Sequence, residues 1–264
     1  MKVSSYLSSE EIKSSSEFLE RGYIIRKIKN PKNFSNIKEK IVKDSKKILN
    51  FGDKSFSLNY AHKYLSSKNL NSFRVSLMNS LNKSNQFKKN YFDAAKYDLF
   101  NLVGNELAMQ KRINLSIQLP KDESSLLPVH SDVWSGDSPY EVVVWMPLVD
   151  CYKTKSMYIL PPSKYKSHLK NFSKMKKKDS TSLFNTIKKD VEFLKINEGE
   201  ILIFNQALPH GNIVNQEQET RWSMNCRFKS LFSPYGDKKL GEFFVPITTK
   251  VATTIGMNYS YPDL

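Results

Sequence analysis

The chain has 264 residues, 39% of them hydrophobic, with 41 Lys and Arg against 26 Asp and Glu and a formal net charge of +15. That apolar content supports a folded core, and the modest Gly and Pro content excludes collagen-like, mucin-like and fully disordered chains. Only six of the basic residues are Arg; nucleic-acid readers lean on Arg for bidentate contacts to phosphate and guanine, so a nucleic-acid partner is disfavoured and the charge reads as a solvated, Lys-rich surface.

The chain opens helical. Ser8-Ser9-Glu10-Glu11 is a capping-box pattern, and Ile12, Phe18 and Leu19 follow near one face of a short helix. Gly22 stops it, and Tyr23-Ile24-Ile25 reads as a brief strand. A second helix follows Pro31, with Phe34, Ile37, Ile41 and Ile48 at helical spacing, and two more are predicted over 70–84 and 86–103. From Glu106 the period shifts toward two. Across 112–119, Arg112, Asn114, Ser116 and Gln118 share one face, with Ile113, Leu115, Ile117 and Leu119 on the other. The segments 141–148, 156–160, 200–205 and 220–228 are further strands, and 164–190, rich in Lys and Ser, reads as an exposed helical insertion. With no internal repeat and no sharp linker, one domain is expected over 1–264: a mostly helical part (1–104), a β core with that insertion (105–232) and a C-terminal extension (233–264). Several short strands separated by turns predict a sandwich or barrel.

No apolar run approaches the ~20 residues of a spanning helix, so no membrane association is expected. The opening segment MKVSSYLSSEEIKSSSEF lacks an apolar h-region, and Cys151 and Cys226 stand alone, which predicts a cytoplasmic, reducing environment.

Four histidines carry the search for chemistry. His62 and His168 sit in polar, helical surroundings and read as surface residues. His130 and Asp132 are two apart, so on an extended chain their side chains lie on the same side and reach one metal ion. His210 follows the strand EILIFN, where it can close the set. Two imidazoles and a carboxylate are the donors of non-haem Fe(II) enzymes, whose remaining positions stay open for co-substrate and oxygen. Asp137 is an alternative carboxylate, less well placed by its offset. Beyond His210, Arg221 and Ser223 face the same way in a strand, so a guanidinium and a hydroxyl together can bind a carboxylate.

His130-x-Asp132, the distal His210 and the later Arg221-x-Ser223 resemble the Fe(II)/2-oxoglutarate-dependent oxygenases. The flanking sequence is similar to the phytanoyl-CoA dioxygenase-like branch: LSSEEIKSSSEFLERGYIIRKI to its opening segment, VVVWMPLVD and SMYILPPSKY to its central strands and Pro-Ser-His turn, EGEILIFNQALPHGN to the strand ending in its distal His-Gly. The likeness spans about residues 7 to 232, and within the branch points to oxygenases of carbohydrate-biosynthesis clusters. Lys164 departs from it, standing where many members have His.

The resemblance implies a double-stranded β-helix (jelly-roll, cupin-like) core, mainly β with a helical flank. It implies His130, Asp132 and His210 as Fe(II) ligands, and Arg221 with Ser223 holding 2-oxoglutarate, with O2 as the oxidant. The implied activity is hydroxylation of a small metabolite: a sugar, nucleotide sugar or related acidic intermediate of carbohydrate or secondary-metabolite biosynthesis. Two other classes stay open: a non-catalytic jelly-roll binding module, and an oxygenase acting on an acyl-CoA, amino acid or macromolecule. Oligomeric state is left open. Gln118, Asn114 and Ser116 are candidates to touch co-substrate or substrate, with structural hydrogen-bonding as the alternative. Arg227, on the face of Arg221, reads either as a contact to an anionic substrate or as the partner of a core carboxylate. Trp134, Trp145 and Trp222 are candidates to line the site or to pack in the core.

Overall fold

The computed structural model describes residues 6–52, 55–174 and 180–262; the part of the basic insertion at 175–179 and the extreme termini lie outside the described residues. Helix α1 (Ser9–Arg21) starts on the expected box: Ser8 Oγ accepts the Glu11 N–H, and the Glu11 carboxylate accepts the Ser8 N–H. Gly22 closes it in the left-handed region at φ 78°, where a Cβ would also collide with Leu208, so only glycine lets the chain turn directly into β1 (Tyr23–Lys27). Leu19 departs from expectation and is 61% exposed. One residue step is about 100° around a helix, so with Phe18 packed on the core its neighbour faces water.

Helix α2 (Pro31–Ile48) buries Phe34, Ile37 and Ile41 on the predicted spacing. Helix α3 (Ser67–Asn82) begins earlier than predicted, because Ser66 and Asn69 form a reciprocal cap; α4 (Asn85–Leu102) follows. The remaining elements are β2 (Leu107–Gln110), β3 (Asn114–Gln118), β4 (Glu141–Pro147), β5 (Tyr158–Ile159), α5 (Pro162–Lys174), α6 (Ser180–Ile187), β6 (Glu192–Phe193), β7 (Glu200–Asn205), β8 (His210–Gly211), β9 (Arg221–Ser230), β10 (Phe244–Pro246) and α7 (Val251–Met257). Among the described residues, no helix is long and apolar enough to cross a membrane.

Every strand pair is antiparallel. The larger sheet runs β1-β7-β4-β9-β2-β10, with β3 also on β9; the smaller runs β6-β5-β8. This is the expected jelly-roll core with a helical flank. Strand β9 sorts the two sides of the large sheet by parity. Trp222 lies edge-on to Phe73 of α3, and Phe228 meets Phe92 of α4, so even-numbered residues face the helices. Arg221, Asn225 and Arg227 face the opposite way, into a cavity.

The insertion is not simply exposed. Ile187 is inaccessible, and Phe172, Leu183 and Phe184 pack with Val129, Tyr158 and Leu160. Strands of two residues bury too little by themselves, so the smaller sheet needs this cover. His168, expected at the surface, is buried, its Nε2 2.8 Å from Asp190 Oδ2, which ties the two ends of the insertion together. His62 is half-buried, with Nδ1 3.0 Å from Thr220 Oγ1.

Candidate metal centre

His130 and His210 come from segments eighty positions apart and meet in an isolated antiparallel bridge. Each donates its backbone N–H to the other's carbonyl, at 3.0 and 2.8 Å, which sets the ring centroids 4.3 Å apart. Ser131 is extended (φ −126°, ψ 132°), so Asp132 returns to the side of His130 while the Ser131 hydroxyl turns away and donates to the Ala207 carbonyl. Asp132 then opens a short 3₁₀ turn (Asp132–Ser135), its N–H bonded to the Gln206 carbonyl at 3.1 Å. One ligating atom from each of His130, Asp132 and His210 lies within 4.8 Å of the others.

The protonation states suit a cation. His130 Nδ1 is 2.8 Å from the Pro128 carbonyl, and His210 Nδ1 is 2.8 Å from the Leu208 carbonyl. A carbonyl only accepts, so each Nδ1 carries a proton and each Nε2 is the ring nitrogen left to face a metal. Burial, with the neighbouring His130, pushes the His210 imidazole down to about 4, so it is neutral at pH 7. Burial opposes the charge on Asp132, but contact with His130 and the nearby Arg227 outweigh it and hold the carboxyl well below the usual carboxylate range. Two imidazoles and one carboxylate are a donor set for Fe(II).

Next to this set lies a cationic pocket. Strands β3 and β9 pair Gln118 with Arg221 and Ser116 with Ser223. Arg221 is 3% exposed and donates from Nη2 to Ser116 Oγ at 2.9 Å. Among the described residues it has no carboxylate partner, and neither its Nε nor the buried Ser223 Oγ has a hydrogen-bond partner. Burial lowers the Arg221 guanidinium to about 10, which leaves it a cation at neutral pH. An unpaired buried charge is costly, and a ligand carboxylate would satisfy both orphaned groups.

The cavity holding the triad and Arg221 has a volume of about 320 Å³. Asn114, Ser116 and Trp145 line it, Asn114 donating to Asn225 Oδ1 at 3.0 Å. Gln118 is buried outside the lining, its amide donating to the Ile213 carbonyl at 2.6 Å. Trp134 also lies outside it, half-exposed with its ring 5.8 Å from that of Phe172, and Trp222 belongs to the core. Arg227 takes the carboxylate alternative: Nη2 is 2.9 Å from Asp132 Oδ2 and Nε 3.2 Å from Asp137 Oδ1. Asp137 is held on its other oxygen by Lys238, which accounts for its standing apart from the triad. Asn225 and Lys238 escaped the sequence reading. Asn225 was findable, lying between Arg221 and Arg227 on the odd-numbered face. Lys238 comes from a loop with no periodicity to flag it.

No family model matches the chain, and no curated protein matches it. Solved structures do. The non-haem monooxygenase ThoJ in complex with nickel is 15% identical over 91% of this chain and 85% of its own, at a TM-score of 0.58; its apo form is 12% identical over 89% and 84%, at 0.59. HygX from Streptomyces hygroscopicus, with nickel and 2-oxoglutarate bound, is 12% identical over 89% and 90%, at 0.52. At these identities the likeness establishes the fold: the chain has the jelly-roll architecture seen in ThoJ and HygX.

Proposed function

We propose that the protein is an Fe(II)- and 2-oxoglutarate-dependent oxygenase, phytanoyl-CoA dioxygenase-like, that hydroxylates a small metabolite in the cytoplasm. One observation carries the reading: a set of two imidazoles and a carboxylate shares a cavity with a buried guanidinium that has no acid of its own among the described residues. HygX, whose structure contains nickel and 2-oxoglutarate on the same fold, supports it.

His130, Asp132 and His210 would hold the iron, and Arg221 with Ser223 would hold the far carboxylate of 2-oxoglutarate, beside Ser116. Iron, 2-oxoglutarate and O2 together supply the oxidising power to hydroxylate an unactivated C–H bond. The chain supplies geometry. Backbone carbonyls at Pro128 and Leu208 orient the two imidazoles, and Arg221 orients the co-substrate. Val143, Trp145, Met157 and Phe204 form apolar walls that keep water from the reacting centre. No acid–base pair is required. The substrate side offers Asn114, Asn212, Asn225 and Ser135, whose amides and hydroxyl suit a hydroxyl-rich metabolite of the sugar or nucleotide-sugar class, neutral or acidic, from carbohydrate or secondary metabolism.

The test is succinate release dependent on Fe(II) and 2-oxoglutarate, screened over sugars, nucleotide sugars, acyl-CoAs and amino acids, with His130→Ala as control. Release stimulated by a sugar-class compound supports the whole reading; stimulation by an acyl-CoA or amino acid keeps the enzyme and replaces the substrate. If calorimetric titration detects neither Fe(II) nor 2-oxoglutarate binding, the protein is a non-catalytic jelly-roll binding module.

A further inference from the structure

We infer that Arg227 is a positioning residue for the metal ligand Asp132, clamping one oxygen of its carboxylate so that the other alone faces the two imidazoles. The inference rests on the metal-site reading above and concerns what fixes that site's geometry.

The two oxygens of Asp132 have different neighbours. Oδ1 lies 3.5 Å from His130 Nε2, while Oδ2 lies 2.9 Å from Arg227 Nη2. A free carboxylate turns readily about its terminal torsion and can offer both oxygens to a metal. A bidentate Asp132 would occupy a position that co-substrate or oxygen needs. The ion pair with Arg227 opposes that turn.

Arg227 is itself held on its other edges. Its Nε is 3.0 Å from Gln206 Oε1 and 3.2 Å from Asp137 Oδ1, and its Nη1 donates to Gln110 Oε1 at 3.4 Å. Gln206 is locked in turn, its amide donating to the Ser138 carbonyl at 3.1 Å and to Glu141 Oε2 at 2.9 Å. Lys238 holds the second oxygen of Asp137. The guanidinium is thus oriented by hydrogen bonds to the two amide oxygens and faces both carboxylates as ion pairs, an arrangement a flexible ammonium does not reproduce. Asp137, ion-paired with Arg227 and Lys238, stands outside the group of His130, Asp132 and His210. Asp132 and Asp137 balance Arg227 and Lys238 in charge, which leaves Arg227 engaged rather than waiting for an anionic substrate.

Direction separates positioning from simple charge. On charge alone, removing a cation from beside a dication tightens metal binding. Losing a clamp that pre-organises a ligand weakens it, typically 10–100-fold. The experiment uses full-length protein stripped with EDTA and titrated with Co(II), read by visible absorption, with folding checked by circular dichroism. Arg227→Met is expected to bind Co(II) about 10-fold or more weakly, with lower absorptivity as the second Asp132 oxygen joins the metal. Arg227→Lys, which keeps the charge and loses the fork, is expected to stay several-fold weaker, and Asp137→Asn to shift in the same direction. If Arg227→Met does not fold, the other two variants decide. Folded variants that match wild type in affinity and spectrum, or that bind Co(II) more tightly, overturn the inference. Wild-type protein that binds no Co(II), or that binds it no better than His130→Ala, overturns the metal-site reading instead.

Discussion

His130 and His210 exchange both backbone hydrogen bonds, at 3.0 and 2.8 Å, so two candidate ligands are registered by main chain rather than by side-chain packing. Anything that separates these two segments should therefore cost metal affinity even when every ligand is intact.

Gly211 tests this. A Cβ on it would sit 2.8 Å from the Leu127 carbonyl oxygen and 2.7 Å from Tyr158 Oη, a contact real Cβ atoms do not make. Gly211→Ala should push β8 from its neighbour, costing about 1–3 kcal/mol of stability and weakening Ni(II) binding at least several-fold. Urea unfolding and metal titration measure the two effects. A variant unchanged in both would show that the bridge is dispensable.

Arg221, the proposed anchor of 2-oxoglutarate, carries a stability cost. Replacing it with Met removes a buried charge that lacks an acid among the described residues, so the metal-free protein should gain about 1 kcal/mol or more. Affinity for 2-oxoglutarate should fall by about 2–5 kcal/mol, with Co(II) binding within about twofold of wild type. Calorimetry and thermal melts check both arms; unimpaired 2-oxoglutarate binding removes Arg221 from its proposed role.

Metal should stabilise the fold through the triad. Ni(II) at 100 times its Kd should raise the unfolding free energy by about 2.7 kcal/mol, seen as an upward shift of Tm that EDTA reverses. In His130→Ala the shift should vanish.

Metal-free protein should lose stability on mild acidification. His210 titrates at about 4 when folded and near 6.5 when unfolded, so between those values the unfolded chain binds more protons. Stability contributed by neutral His210 is complete above about pH 6.5 and is lost as pH falls toward 4. The loss amounts to a few kcal/mol, and His210→Gln should flatten it in urea titrations run at a series of pH values.

Much of this protein was legible in the sequence because the signals were local. The spacing of His130 and Asp132 across one extended residue, the period of two through 221–228 and the capping box at Ser8 each depend on neighbours within a few positions. Such signals are fixed by backbone geometry before any tertiary contact forms. They were enough for the helical flank, a sandwich or barrel of short strands and the pairing of His130 with Asp132; the jelly-roll core and the joining of the distant His210 came with the resemblance to the Fe(II)/2-oxoglutarate oxygenases. They failed where a neighbour across space decides. Leu19 fits an apolar stripe yet faces water, and His168, read as a surface residue, finds Asp190.

The partners of the buried charges belong to tertiary structure alone. Arg221 and Arg227 lie on one face of one strand; the Arg221-x-Ser223 spacing marks the first, but nothing local to the second says what meets it. Among the described residues the first donates to a serine hydroxyl and pairs with no carboxylate, while the second faces two carboxylates from a loop some ninety positions away. Strand register and that loop's path set the difference, because a charge buried in low dielectric takes its character from the groups that reach it.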